Sequence, residues 1–109
     1  MADLGIETRD EGSAKVVALS GEFDLAGVQQ FERELSRLES EGTDVLLVDL
    51  TGLAFMDSSG LRALVMADQR AKRGERRFAI VPGPPAVRRV FEITQLDDRL
   101  DLVESASAL

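Results

Sequence analysis

Cysteine, histidine, tyrosine and tryptophan are all missing from these 109 residues, and proline occurs only three times. Without cysteine there are no disulfides, no thiolate nucleophiles and no thiolate metal sites, a composition compatible with a reducing cytosol. Without histidine a Ser-His-Asp triad, an imidazole general base and any His-ligated zinc or iron site are excluded. Five phenylalanines are the only aromatics, which leaves little for stacking bases. Positive charge is also short: 13 Lys and Arg stand against 20 Asp and Glu, a net charge of −7. Such a chain is poorly suited to nucleic acid or to an anionic membrane surface. No apolar run approaches the roughly 18 residues of a membrane span; Val45–Val48 is four residues. The start, Met1-Ala2-Asp3-Leu4-Gly5, is acidic and lacks a signal-peptide pattern. Ser, Asp, Glu, Arg and Lys remain for chemistry, so a binding or regulatory module is the expectation.

Hydrophobic residues make up 44% and charged residues 30% of the chain, the balance of an ordinary globular domain. Its length fits one domain over residues 1–109 with a core of its own. Ile6–Arg9 and Lys15–Leu19 read as strands around a turn at Asp10-Glu11-Gly12-Ser13. Ser20 to Asp24 breaks the pattern. Val28, Phe31, Leu35 and Leu38 then mark an amphipathic helix from Ala26 to about Glu41, closed by Gly42. Asp44–Leu50 has the continuous apolar character of a central strand covered on both faces. Thr51–Met56 reads as a partly apolar loop. Leu61, Leu64, Val65 and Ala71 carry a second helix to about Arg73, ended by Gly74. Arg77–Val81 is a further strand, Pro85 opens a third helix, Leu102-Val103 is a last short strand, and Ser105–Leu109 is a stub of helix. The order predicts an α/β fold: a mixed, mostly parallel central sheet of four to five strands packed with amphipathic helices.

The informative segment runs from Asp49 to Leu61, Asp-Leu-Thr-Gly-Leu-Ala-Phe-Met-Asp-Ser-Ser-Gly-Leu. It puts a carboxylate and two hydroxyls at the start of a helix, where backbone N–H groups are unpaired and the local field is positive. Asp57 or Ser58 can cap those groups. The same place accommodates an anion, including a phosphate carried by a serine. Gly60 leaves room for close approach of another group. On local chemistry alone, an ordinary helix cap accounts for the pattern.

The stretch from Val45 to Leu64 resembles the signature of the STAS superfamily, specifically the bacterial anti-sigma factor antagonists. A second element of that family is matched by Leu19-Ser20-Gly21-Glu22-Phe23-Asp24, and the order of elements fits from about Ile6 to Val103. The resemblance implies the STAS fold and a regulatory switch in place of catalysis. It implies that Ser59 is the phosphoacceptor and that Asp24, Asp57, Ser58, Ser59, Gly60 and Leu61 belong to a partner-binding surface. It further implies a cytoplasmic, bacterial transcription regulator working by partner switching. The implied partners are an anti-sigma factor that is also a serine kinase, and a serine phosphatase; neither nucleic acid nor membrane is implied. The chain is expected to be a monomer or weak homodimer and to need no cofactor or metal. The family's usual last helix is reduced here to the stub.

Two rival functions share these residues. One is another STAS-fold interaction module, a lipid-transport complex subunit or a sensory scaffold, with an unmodified serine. The other is a hydrolase using Ser58 or Ser59, whose base would have to be Lys15, Lys72 or a carboxylate. Arg70, Lys72, Arg73, Arg76 and Arg77 form a basic cluster best read as a helix C-terminus favouring cations. Asp97, Asp98, Asp101 and Glu104 read as a solvated acidic edge. Glu22 and Asp24 lack the cleft a catalytic pair needs. Phe55 and Met56 are expected to be core residues with some exposure.

Overall fold

The structure is a computed structural model that describes residues 3–109. A hairpin opens it: β1 (Gly5–Glu11) pairs antiparallel with β2 (Ala14–Phe23), with Glu11 opposite Ala14. Only Gly12 and Ser13 lie between them. Gly12 takes φ 62°, which a two-residue hairpin loop demands and which glycine adopts without a Cβ penalty.

Beyond the hairpin strands and helices alternate. They are α1 (Leu25–Ser40), β3 (Val45–Met56), α2 (Ser58–Arg73), β4 (Arg77–Val81), α3 (Pro85–Ile93) and β5 (Asp101–Leu102), with a 3₁₀ turn at Ala106–Ala108. The five strands lie in chain order, and β2 through β5 are parallel. Successive crossovers of one hand, each advancing one strand in the same direction, put their helices on one face of the sheet. Accordingly, Val17, Leu19, Leu46, Val48, Leu50 and Ile80 share one core with Phe31 and Leu35 of α1, Leu64 of α2, and Val87 and Phe91 of α3. Phe23 and Phe31 anchor its centre, with ring centroids 5.0 Å apart and planes tilted by 55°. The opposite face buries Val16, Leu47, Ala79 and Val81 beneath Val103 and Ala106. Val103 and the start of the 3₁₀ turn thus pack on the second sheet face.

Two expectations are corrected. Ser20–Phe23 and Thr51–Met56 are strand, not a break and a loop. They pair with each other, Ser20 with Gly52 and Gly21 with Leu53, then Glu22 with Phe55 and Phe23 with Met56, with register shifts after Ala18 and after Gly21. Such irregularities add unpaired residues and destroy the two-residue alternation by which a strand is recognised. In β3 the buried residues after the shift are Leu53 and Met56, three apart. Met56 is buried, whereas Phe55 is 47% exposed.

Candidate functional site

The two central parallel strands end opposite each other, Phe23 beside Met56. The next residue in each is an aspartate that caps the following helix. Asp24 accepts from Ala26 N at 3.1 Å, and one oxygen of Asp57 accepts from Ser59 N at 2.9 Å and from Gly60 N at 3.2 Å. Both caps have extended backbone, as an N-cap requires. The Asp57 N–H donates to the Phe23 carbonyl at 3.3 Å, tying the two strand-to-helix junctions together. Of the two capping candidates at α2, Asp57 performs the task, and Ser58 stands exposed as the first helical residue.

Gly60 fixes how closely α2 approaches the strand end. A Cβ there would lie 2.7 Å from the Phe23 carbonyl oxygen and 2.9 Å from the Phe23 ring. Gly60 and Leu61 are buried; they seat the first turn of α2 and leave Ser58 and Ser59 at its surface. Asp24 belongs to the neighbouring junction and lines a separate hollow with Glu22 and Gln30. Ser59 is half-buried and opens onto a different hollow, a groove of about 280 Å³ between α1 and α2. Leu25, Val28 and Glu32 of α1 face Ser59, Arg62 and Met66 of α2 across it. Leu25 is 74% exposed and Met66 43%.

Leu25 and Met66 lie outside the residues that the sequence motifs mark as site candidates. Their signal was available: each is an apolar residue on an amphipathic helix that falls off the stripe its neighbours make toward the core.

Arg70 spans the far part of the same helix pair, 3.2 Å from Glu32 and 3.2 Å from Glu39, both on α1. Among the described residues, Glu32 Oε1 and Arg70 Nη2 are buried without a partner. The expected basic cluster is therefore divided among separate contacts. Lys72 pairs with Asp68 at 3.0 Å, and Arg77 of β4 pairs with Asp101 of β5 at 2.9 Å. That last pair ties Asp101 to β4 while leaving its side chain partly exposed. Lys15 lies on β2 against Asp10, so both lysines of the chain are engaged away from Ser58 and Ser59. Among the described residues no group of three acidic side chains is arranged to hold a metal ion. No described helix is long and apolar enough to cross a membrane.

This arrangement, two parallel strand ends followed by Asp-capped helices, can be compared with known proteins. A family model described as "Mlab, STAS domain" matches residues 6–104. The chain belongs to the STAS-domain family. Among STAS relatives, the anti-sigma-B factor antagonist of Staphylococcus aureus is 29% identical over 102 residues, covering 94% of each chain. The crystal structure of an anti-sigma factor antagonist from Mycobacterium paratuberculosis superposes with a TM-score of 0.88 at 25% identity, over 97% of this chain and 90% of that one. The anti-sigma factor antagonist SpoIIAA in its unphosphorylated form gives a TM-score of 0.80 at 22% identity, over 95% and 92%. The same Bacillus protein in its phosphorylated form gives 0.72 at 22%, over 97% and 96%. At that identity the likeness is one of fold, and the STAS fold is what this chain shares with it.

Proposed function

We propose that this STAS protein is an anti-sigma factor antagonist switched by phosphorylation of Ser59. Unmodified, it binds an anti-sigma factor that is also a serine kinase, and the sigma factor is released. That kinase phosphorylates Ser59 and ends the binding, and a serine phosphatase restores it. The chain acts as a single domain, and Asp24, Asp57 and Ser58 flank the contact while Gly60 and Leu61 hold it from beneath.

The observation that carries this reading is the setting of Ser59. Its residue lies in the first turn of α2, backbone pinned by Asp57, at the edge of a groove rimmed by exposed Leu25 and Met66. A neutral hydroxyl beside apolar side chains suits a desolvated contact. A phosphate, carrying about −1.5 to −2 charges at neutral pH, does not. The names of the staphylococcal and mycobacterial relatives support the same function. A hydrolase is disfavoured by the engagement of Lys15 and Lys72 elsewhere.

The test is phosphorylation by the cognate anti-sigma kinase with ATP, followed by mapping of the modified residue. Wild type and Ser58→Ala are expected to take up one phosphate each, and Ser59→Ala none. Stoichiometric phosphate on Ser59→Ala would overturn the site. No phosphate on any of the three would favour an interaction module whose serine is never modified.

A further inference from the structure

The first turn of α2 offers a phosphate less than a free helix start does. The N–H groups of Ser59 and Gly60 are already taken by Asp57, and the Leu61 N–H donates to the Asp57 carbonyl at 3.1 Å. A phosphoryl group on Ser59 would meet the Asp57 carboxylate two residues back and Glu32 across the groove on α1. Asp24 caps that helix at the adjoining junction. Every one of these is acidic. One side chain lining the groove carries the opposite charge, and that is Arg62.

Arg62 lies three residues after Ser59 on α2, and residues at that spacing share a helix face with Cβ atoms about 5–6 Å apart. It is exposed, and among the described residues it forms no ion pair. Glu32, the carboxylate that would compete for it, is held by Arg70. The other Glu32 oxygen is buried, so the exposed guanidinium has reach and, among the described residues, no ion-pair partner. Its planar donors suit two phosphoryl oxygens at once.

We propose that Arg62 is the counter-charge of phosphorylated Ser59, closing on the phosphoryl oxygens at the mouth of the groove between α1 and α2. This rests on the reading of Ser59 as the phosphoacceptor. It gives Arg62 two settings: with Ser59 unmodified it is a free cation on the rim of the groove, and with Ser59 phosphorylated it is folded back on its own helix. The modified form thus adds negative charge and also withdraws a positive one from the face a partner meets.

The test uses the full chain with phosphoserine placed at position 59 during translation, so that no kinase is needed. Phosphorus NMR reads the second ionisation of that phosphate, near pH 6 for an unperturbed group, in wild type, Arg62→Ala and Arg62→Glu. A nearby cation favours the dianion, so the midpoint is expected lowest in wild type. Arg62→Ala should raise it by roughly 0.2–0.7 pH units, the range of an exposed ion pair, and Arg62→Glu further. Arg73→Ala removes a cation about 21 Å away along the same helix and should leave the midpoint unchanged. Raising the salt concentration should narrow the wild-type to Arg62→Ala gap. Equal midpoints in wild type and Arg62→Ala, or an equal rise in Arg73→Ala, would overturn the proposal. Failure of the kinase to modify Ser59 would instead count against the phosphoacceptor reading and leave this titration standing.

Discussion

A methyl group added at Gly60 would stand 2.7 Å from the carbonyl oxygen of Phe23 and 2.9 Å from its ring. The carbonyl belongs to a paired strand and also accepts the Asp57 N–H, so it cannot simply move aside. Alanine gains up to about 1 kcal/mol in helix propensity, but overpacking costs about 1–3 kcal/mol. Gly60→Ala is expected to lower the melting temperature, by roughly 4–8 °C for each net kcal/mol lost in a chain of this size; an unchanged or raised midpoint would contradict the close packing. Asp57 can be divided into cap and charge. Asp57→Ala should cost about 0.5–2 kcal/mol by leaving the Ser59 and Gly60 N–H groups unpaired, and Asp57→Asn should recover most of it while removing the charge beside Ser59. Chemical denaturation of the two variants checks this, and an Asn variant as unstable as the Ala variant would show that the charge matters more than the cap. The Asp-Ser-Ser-Gly run was legible in the sequence as a cap because capping is a local matter of spacing. That Leu25 and Met66 meet across a groove was not, because it depends on how two helices sixteen residues long lie against each other.

At the scale of elements, α1 is fastened on both flanks by polar contacts. On one side Glu34 accepts from Thr8 of β1 and from Arg37 one turn along α1. The Arg37 hydrogen bond, with help from Thr8 and against some burial, holds the Glu34 carboxyl below its usual value of 4.5. A carboxyl whose pKa is depressed on folding stabilises the fold above its unfolded pKa, and that contribution is lost as pH falls through the lower folded value. The gap in stability between wild type and Glu34→Gln should therefore be constant above about pH 5 and shrink on acidification below the ordinary glutamate range; melting temperatures of both proteins between pH 3 and about pH 7 would show it. A gap that widens in acid would contradict a Glu34 carboxyl held below its usual value. On the other side Arg70 binds Glu32 and Glu39. Arg70→Ala should cost about 1–3 kcal/mol, between an exposed pair and a fully buried one, because it strands two partly buried carboxylates. Restoring the loss by adding Glu32→Gln and Glu39→Gln would confirm that mechanism. The helices were legible because an amphipathic stripe has one period throughout. The ends of β2 and β3 were not, because their register shifts replace alternation by a spacing of three between Leu53 and Met56.

For the whole molecule, the question is whether phosphate on Ser59 rearranges the fold or only its surface. Repulsion from Asp57 at this half-buried site lies between about 1 kcal/mol, the value in water at about 4 Å, and about 4 kcal/mol, the value near a protein surface, and Arg62 opposes it. A domain of this size has about 5–15 kcal/mol of stability, so neither sign of the remainder can unfold it. The phosphorylated and unmodified proteins are expected to share one fold, with backbone chemical shifts changing near Ser59 and Arg62 and not across Phe31, Leu35 and Leu38. The element order follows from the sequence because right-handed crossovers between successive parallel strands leave little choice of topology. How the second sheet face is packed does not, since Val103 and Ala106, which lie against Val16 and Leu47, belong to a short segment ending in one 3₁₀ turn that has too few residues to show a period. If Ser59 is a surface switch for partner binding, the dissociation constant for the cognate anti-sigma kinase must differ between unmodified protein and protein carrying phosphoserine at position 59. Binding is expected to be at least about tenfold weaker for the phosphorylated form, a difference of about 1.4 kcal/mol or more, with both forms melting as one fold. Equal dissociation constants would contradict the switch.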